Sequence, residues 1–147
     1  MWMHSGYNSH PSSPTVDTNT TEICSFSKTA GAARGAVGVL TYELLKKRKH
    51  HSEDLESCHC NEQVAIMFSV PYDYNLYDNW LAVGIFENAR PCDETLFKLM
   101  YYECGSTFTR AKAKDCGAVY VGKSVEIRAS MSNAGRATLK VEVCDKR

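Results

Sequence analysis

The feature that most constrains the fold is the apolar run Ile66-Met67-Phe68 with Val70, which meets Pro71 and passes directly into an aromatic stretch ending at Trp80. The run reads as the end of a buried strand. Pro71 stops it, because proline has no amide for a central ladder and presets a turn-like φ. Five of the thirteen residues from Phe68 to Trp80 are aromatic, too many for an ordinary solvated connection. Tyrosine and tryptophan combine an apolar body with a polar tip, so they collect at protein interfaces and at membrane-water boundaries.

Charge narrows the partner. Apart from the tyrosines, the stretch carries only Asp73 and Asp78 as ionisable groups, with no Lys or Arg. Base-stacking sites interleave aromatics with cations that neutralise phosphates, so no nucleic-acid partner is expected. A zwitterionic head group fits better: ring faces attract quaternary ammonium by roughly 0.5–2 kcal/mol per contact, and tyrosine or serine hydroxyls donate to phosphate. The residue types alone leave a second reading open, a hairpin whose aromatics are simply core.

The rest of the chain reads as one all-β domain with one short helix. Glu22–Lys28 alternates, with Ile23, Ser25 and Ser27 on one face and Cys24 and Phe26 on the other. Gly31–Gly38 is small and flexible, and Val37 to Leu45 is apolar on both faces, as at the centre of a sandwich. Gln63–Val70 and Trp80–Glu87 flank the aromatic loop. Asp93 is a good N-cap for a helix of about 93–101, with Glu94 favouring the positive end of the dipole. Leu96, Leu99 and Met100 share its sheet-facing side, while Phe97 and Tyr101 form a second stripe. From Thr107 onward the pattern is β again, with Asn133-Ala134-Gly135 as a turn.

Composition bounds the remainder. A chain of 147 residues with 17 basic and 17 acidic side chains makes one domain with no global field toward DNA or anionic membrane. No run of about 20 apolar residues is present to span a bilayer as a helix, and no signal peptide is visible. Residues 1–21, rich in Ser, Thr, Asn, His and Pro, read as a disordered polar tail, leaving 22–147 as the folded domain. Lys46–Glu62 is a polar connection, its basic run a solvated loop. Seven cysteines cannot close a disulfide framework, and Cys58-His59-Cys60 lacks the spacing of a structural zinc site. No metal or other cofactor is expected. Ser69 stands before Val-Pro rather than in a nucleophile elbow, and no histidine has a recognisable partner, so nothing suggests an enzyme.

The stretch Phe68–Trp80 resembles the signature of the actinoporins, pore-forming cytolysins best known from sea anemones. Ala33–Tyr42 is similar to the family strand before it, Asp93–Tyr102 to its short helix ending in paired tyrosines, and Ser130–Val143 to its final hairpin. The likeness spans roughly residues 22–145 and is strongest to the actinoporin-like proteins found outside anemones, including in fish. It implies a β-sandwich of two antiparallel sheets whose phosphocholine pocket takes in Val37, Ser69, Pro71, Tyr77, Tyr101 and Tyr102. It also implies a membrane-interface loop containing Tyr72, Tyr74, Leu76 and Trp80. The implied partners are choline-lipid membranes, with phosphatidylcholine or sphingomyelin, and further copies of the chain that assemble into cation-permeable pores. The implied location is secreted and on target-cell membranes, with cytoplasmic as the alternative.

The chain departs from the family pattern in several places. Phe97 replaces a pocket tyrosine, Leu76 replaces a loop tryptophan, and an Arg-Gly-Asp tripeptide is missing. The N-terminal amphipathic helix that lines the pore is expected to be absent, and with it the first strands. That expectation keeps a second function open: a non-lytic, lectin-like module binding lipid or carbohydrate on the same scaffold.

Overall fold

The computed structural model describes residues 1–10, 20–27, 35–44, 62–70, 79–87, 91–103, 105–113, 117–122, 125–132 and 136–145. The strands in chain order are β1 (Trp2–Ser5), β2 (Tyr7–His10), β3 (Thr20–Ser27), β4 (Ala36–Glu43), β5 (Gln63–Val70) and β6 (Trp80–Phe86). One helix, α1 (Glu94–Tyr102), precedes β7 (Phe108–Lys112), β8 (Ala118–Val121), β9 (Val125–Met131) and β10 (Arg136–Asp145). They form two five-stranded sheets, ordered β1-β4-β5-β6-β7 and β2-β3-β10-β9-β8. Every strand pairing is antiparallel. The fold is the all-β sandwich with one short flanking helix that the sequence predicts.

β5 is the middle strand of its sheet, and each of its eight residues is buried. One face carries Val64, Ile66, Phe68 and Val70 into the core between the sheets, where Phe68 stacks on Phe26 with centroids 3.7 Å apart. The other face places Ala65 and Met67 beneath α1, with Val39, Ala82 and Phe86. A strand covered on both sides has no polar alternation, which explains the unbroken apolar run. β4 begins at Ala36, inside the small-residue run read as flexible. Gly38 sits where a Cβ would strike the carbonyl oxygen of Trp2 and approach the Phe68 ring at 2.9 Å, so a larger residue would hold β1 off its edge.

α1 starts as its sequence dictates. Asp93 Oδ1 accepts the Leu96 amide at 3.1 Å, closing the cap. Leu96, Phe97 and Met100 are buried and Leu99 is half-buried, each fully buried side chain being worth about 1.5–3 kcal/mol. Phe97 therefore turns further inward than a separate second stripe requires.

The N-terminus corrects the sequence reading. In place of a disordered tail beginning at residue 1, Trp2–Ser5 pairs with β4 on the edge of one sheet and Tyr7–His10 pairs with β3 on the edge of the other. The domain boundary expected at residue 22 fails for residues 2–10 and for Thr20 and Thr21, which belong to β3. Gly6 makes the crossing between sheets at φ +80, and a Cβ there would lie 2.6 Å from both Ala36 Cα and Cβ. An edge strand draws its backbone hydrogen bonds from a neighbour already in place, so it forms with few aliphatic residues. The segment's polar composition hid it. Residues 11–19, the connection over 45–61 with Cys58-His59-Cys60, and the turn at 133–135 lie outside the described residues.

Candidate functional site

The pairing registers place the relevant side chains. One row of opposed residues crosses the helix-bearing face of the first sheet as Trp2, Val39, Met67, Ala82 and Arg110. The next row, toward the β5–β6 loop, is Ser5, Val37, Ser69, Trp80 and Lys112. Directly opposed residues share a face, and rows two residues apart are separated by about 6.8 Å. The first row is the floor on which α1 packs. In the second, Val37 alone is aliphatic, beside two hydroxyls, an indole and an ammonium.

Ser69 sits centrally in that second row and is only 7% exposed. Val37 is half-buried against the cluster beneath the helix. Trp80 is also half-buried, with Lys112 Nζ 5.4 Å from its ring centroid, within range for cation–π attraction. A bulge in β1 brings Ser5 opposite Val37, and the Ser5 hydroxyl donates to the Gly35 carbonyl at 2.7 Å.

The end of α1 supplies the tyrosines. Tyr101 is half-buried, whereas Tyr102 is 69% exposed. Their rings meet edge to face at 4.7 Å, and Tyr101 stacks on Phe97 at 5.5 Å. Phe97 lies 5.8 Å from Trp2, and Trp2 lies 5.9 Å from His4. A continuous line of rings thus runs from the N-terminal strand to the exposed Tyr102. Arg110 anchors this end of the helix: its Nη1 donates to the carbonyls of Met100 at 3.0 Å, Tyr101 at 2.6 Å and Glu103 at 3.0 Å. That contact ties the end of α1 that carries the tyrosine pair to β7.

The loop between β5 and β6 leaves from this same end of the sheet. Asn79, fully buried at its base, donates from Nδ2 to the Ser132 carbonyl at 3.0 Å, and its own carbonyl accepts from Ala113 at 2.8 Å. These bonds tie the loop's foot to the second sheet and to β7.

Of the residues expected in a pocket, the structure brings Val37 and Ser69 side by side and Tyr101 against Tyr102. Trp80, expected at the interface, joins the row of Ser69. Pro71, Tyr72, Tyr74, Leu76 and Tyr77 lie outside the described residues. The sequence reading missed Trp2 and Ser5, on the strand taken for a tail, and Arg110 and Lys112 on β7. A tryptophan and a glycine within an otherwise polar segment were the available signal for the first pair. The alternation Phe108, Arg110, Lys112 was the signal for the second. Among the described residues, no cluster of three or more His, Cys, Asp or Glu side chains stands ready for a metal, and no helix is long and apolar enough to cross a membrane.

The profile of the sea anemone cytotoxic protein family matches residues 13–145. The chain belongs to this family, the actinoporins. They are pore-forming cytolysins. The chain is 32% identical over 111 residues to DELTA-actitoxin-Aeq1a of Actinia equina, covering 76% of this chain and 44% of the relative. It is 29% identical over 119 residues to Bryoporin of Physcomitrium patens, covering 79% and 57%. DELTA-alicitoxin-Pse1b of Phyllodiscus semoni is 39% identical over 69 residues, 47% of this chain and 24% of the relative. The chain thus spans between a quarter and somewhat over half the length of these relatives. In this actinoporin, the row Val37, Ser69 and Trp80 lies on the same face of the sheet as α1, whose end carries the tyrosine pair.

Proposed function

We propose that this actinoporin attaches to membranes by gripping the phosphocholine head group of phosphatidylcholine or sphingomyelin. The supporting observation is the edge-to-face Tyr101–Tyr102 pair at the end of α1, the helix on the face that carries Val37, Ser69 and Trp80. Ring faces attract the trimethylammonium, while tyrosine and serine hydroxyls donate to the phosphate. Pro71 and Tyr77 belong to the same head-group site in this reading. Tyr72, Tyr74, Leu76 and Trp80 settle into the interfacial layer, where amphipathic rings are favoured. Copies gathered on the bilayer then assemble into a cation-permeable pore, the protein acting from outside the target cell. The chemistry is recognition and assembly rather than catalysis.

Co-sedimentation with phosphatidylcholine and sphingomyelin vesicles tests attachment, with dye release measured in parallel to follow pore formation separately. Binding to choline vesicles that free phosphocholine displaces is the expected result. Absence of vesicle binding, together with affinity on a glycan panel, would replace the lipid by a sugar.

A further inference from the structure

We infer that Arg110 is a positioning residue for the head-group site, holding Tyr101 and Tyr102 in place through the helix backbone. This inference rests on the membrane reading above for its functional consequence, while its geometry stands by itself.

A helix leaves its last four carbonyls without intrahelical donors, and its C-terminus carries the negative end of the macrodipole. Basic residues in the last turn ordinarily offset both. α1 has none, and its C-cap residue Glu103 is acidic. Its compensation comes from another element: Arg110, on β7, aims one guanidinium nitrogen at three carbonyls of that end. Two hydrogens shared among three acceptors fix the group from several directions. Hydrogen bonds to a charged donor are about twice as strong as neutral ones.

The choice of acceptors gives this contact a role beyond capping. Two of them, Met100 and Tyr101, are the peptide units leading into the tyrosine pair, and the third closes the turn just after it. Tyr102 is mostly exposed, so its own packing holds it weakly, and its place depends on the backbone beneath it. Without Arg110, the last turn keeps the Glu103 amide donating to Leu99 at 3.2 Å and the stacking of Tyr101 on Phe97, neither of which holds Tyr102 itself. The last turn would fray and the two rings would lose their edge-to-face contact. Because Arg110 and Lys112 alternate on β7, the strand that completes the row through Ser69 also holds the end of α1 that carries the tyrosines.

The test compares Arg110→Gln, Arg110→Lys and Tyr102→Ala, alone and combined. With eight tyrosines and two tryptophans in the chain, the near-ultraviolet circular dichroism difference between the native protein and Tyr102→Ala, taken without lipid, gives the signal of the ordered pair. We expect Arg110→Gln to lose that tyrosine signal while the far-ultraviolet spectrum persists, and Arg110→Lys to retain most of it. With phosphatidylcholine vesicles, Arg110→Gln should weaken binding about tenfold. Adding Tyr102→Ala to Arg110→Gln should then cost little more, because the ring is already misplaced. An unchanged tyrosine signal in Arg110→Gln would overturn the inference. So would equal, multiplying losses from the two substitutions, which mark a residue that only stabilises the fold. If the native chain ignores choline vesicles, the functional reading fails, while the spectroscopic comparison still decides whether Arg110 positions the rings.

Discussion

The indole of Trp2 packs against the ring of Phe97 with centroids 5.8 Å apart, joining the N-terminal edge strand to the helix that ends in the tyrosine pair. Trp2 is half-buried and lies in the row beneath α1. Trp2→Ala should therefore loosen the helix against its sheet as well as β1 against β4. A loss of about 2 kcal/mol is expected, below the 3–5 typical of a fully buried tryptophan. Urea unfolding measures it, and a change within 0.5 kcal/mol, the range of about ±0.5 typical of surface positions, would show that β1 does not support the helix.

Tyr102→Ala should separate binding from stability. The side chain is 69% exposed, so its truncation should move unfolding free energy by no more than about 0.5 kcal/mol. Choline-vesicle binding should fall severalfold. Tyr101→Ala, by contrast, should lower both, because that ring also stacks on Phe97. Parallel losses of stability and binding in Tyr102→Ala would make it a packing residue.

Gly6→Ala should be costly at a position that looks unremarkable in sequence. The left-handed backbone costs an L residue about 1–2 kcal/mol. In addition the new methyl would lie 2.6 Å from Ala36 and 2.7 Å from the Ser27 carbonyl oxygen. A total above about 2 kcal/mol is expected by chemical denaturation, with both sheet edges affected.

The Cys144 thiol should be sluggish toward alkylation. It donates to the Glu142 carboxylate at 3.2 Å, and that hydrogen bond, followed by desolvation and the carboxylate's charge, raises its pKa above the ordinary thiol value. A raised pKa means less thiolate at a given alkaline pH, and the thiolate is the reactive form. Glu142→Gln removes the charged acceptor, so the pKa should fall and iodoacetamide labelling of the Cys144 peptide should quicken. Equal labelling rates at mildly alkaline pH would show that the contact has no chemical effect.

Where local pattern and global fold agree, the sequence was sufficient. The run Ile66 to Val70 marked the central strand, and Cys24 and Phe26 alternated inward in β3. Asp93 announced the helix start. The N-terminus was illegible because the ladder that stabilises Trp2–Ser5 and Tyr7–His10 is supplied by β4 and β3, far along the chain. Half of the candidate site was legible as residue chemistry, in Ser69, Tyr101 and Tyr102. The other half depends on register: nothing local announces that Lys112 lies opposite Trp80, or that Arg110 reaches the end of α1.

The line of rings from Tyr102 through Tyr101 and Phe97 to Trp2 has an optical consequence. Phenol excitation absorbed at the exposed end lies within energy-transfer distance of an indole at the other, and the chain carries only two tryptophans. The protein is thereby furnished with a built-in antenna, and occupation of Tyr102 is expected to register in the light that Trp2 emits.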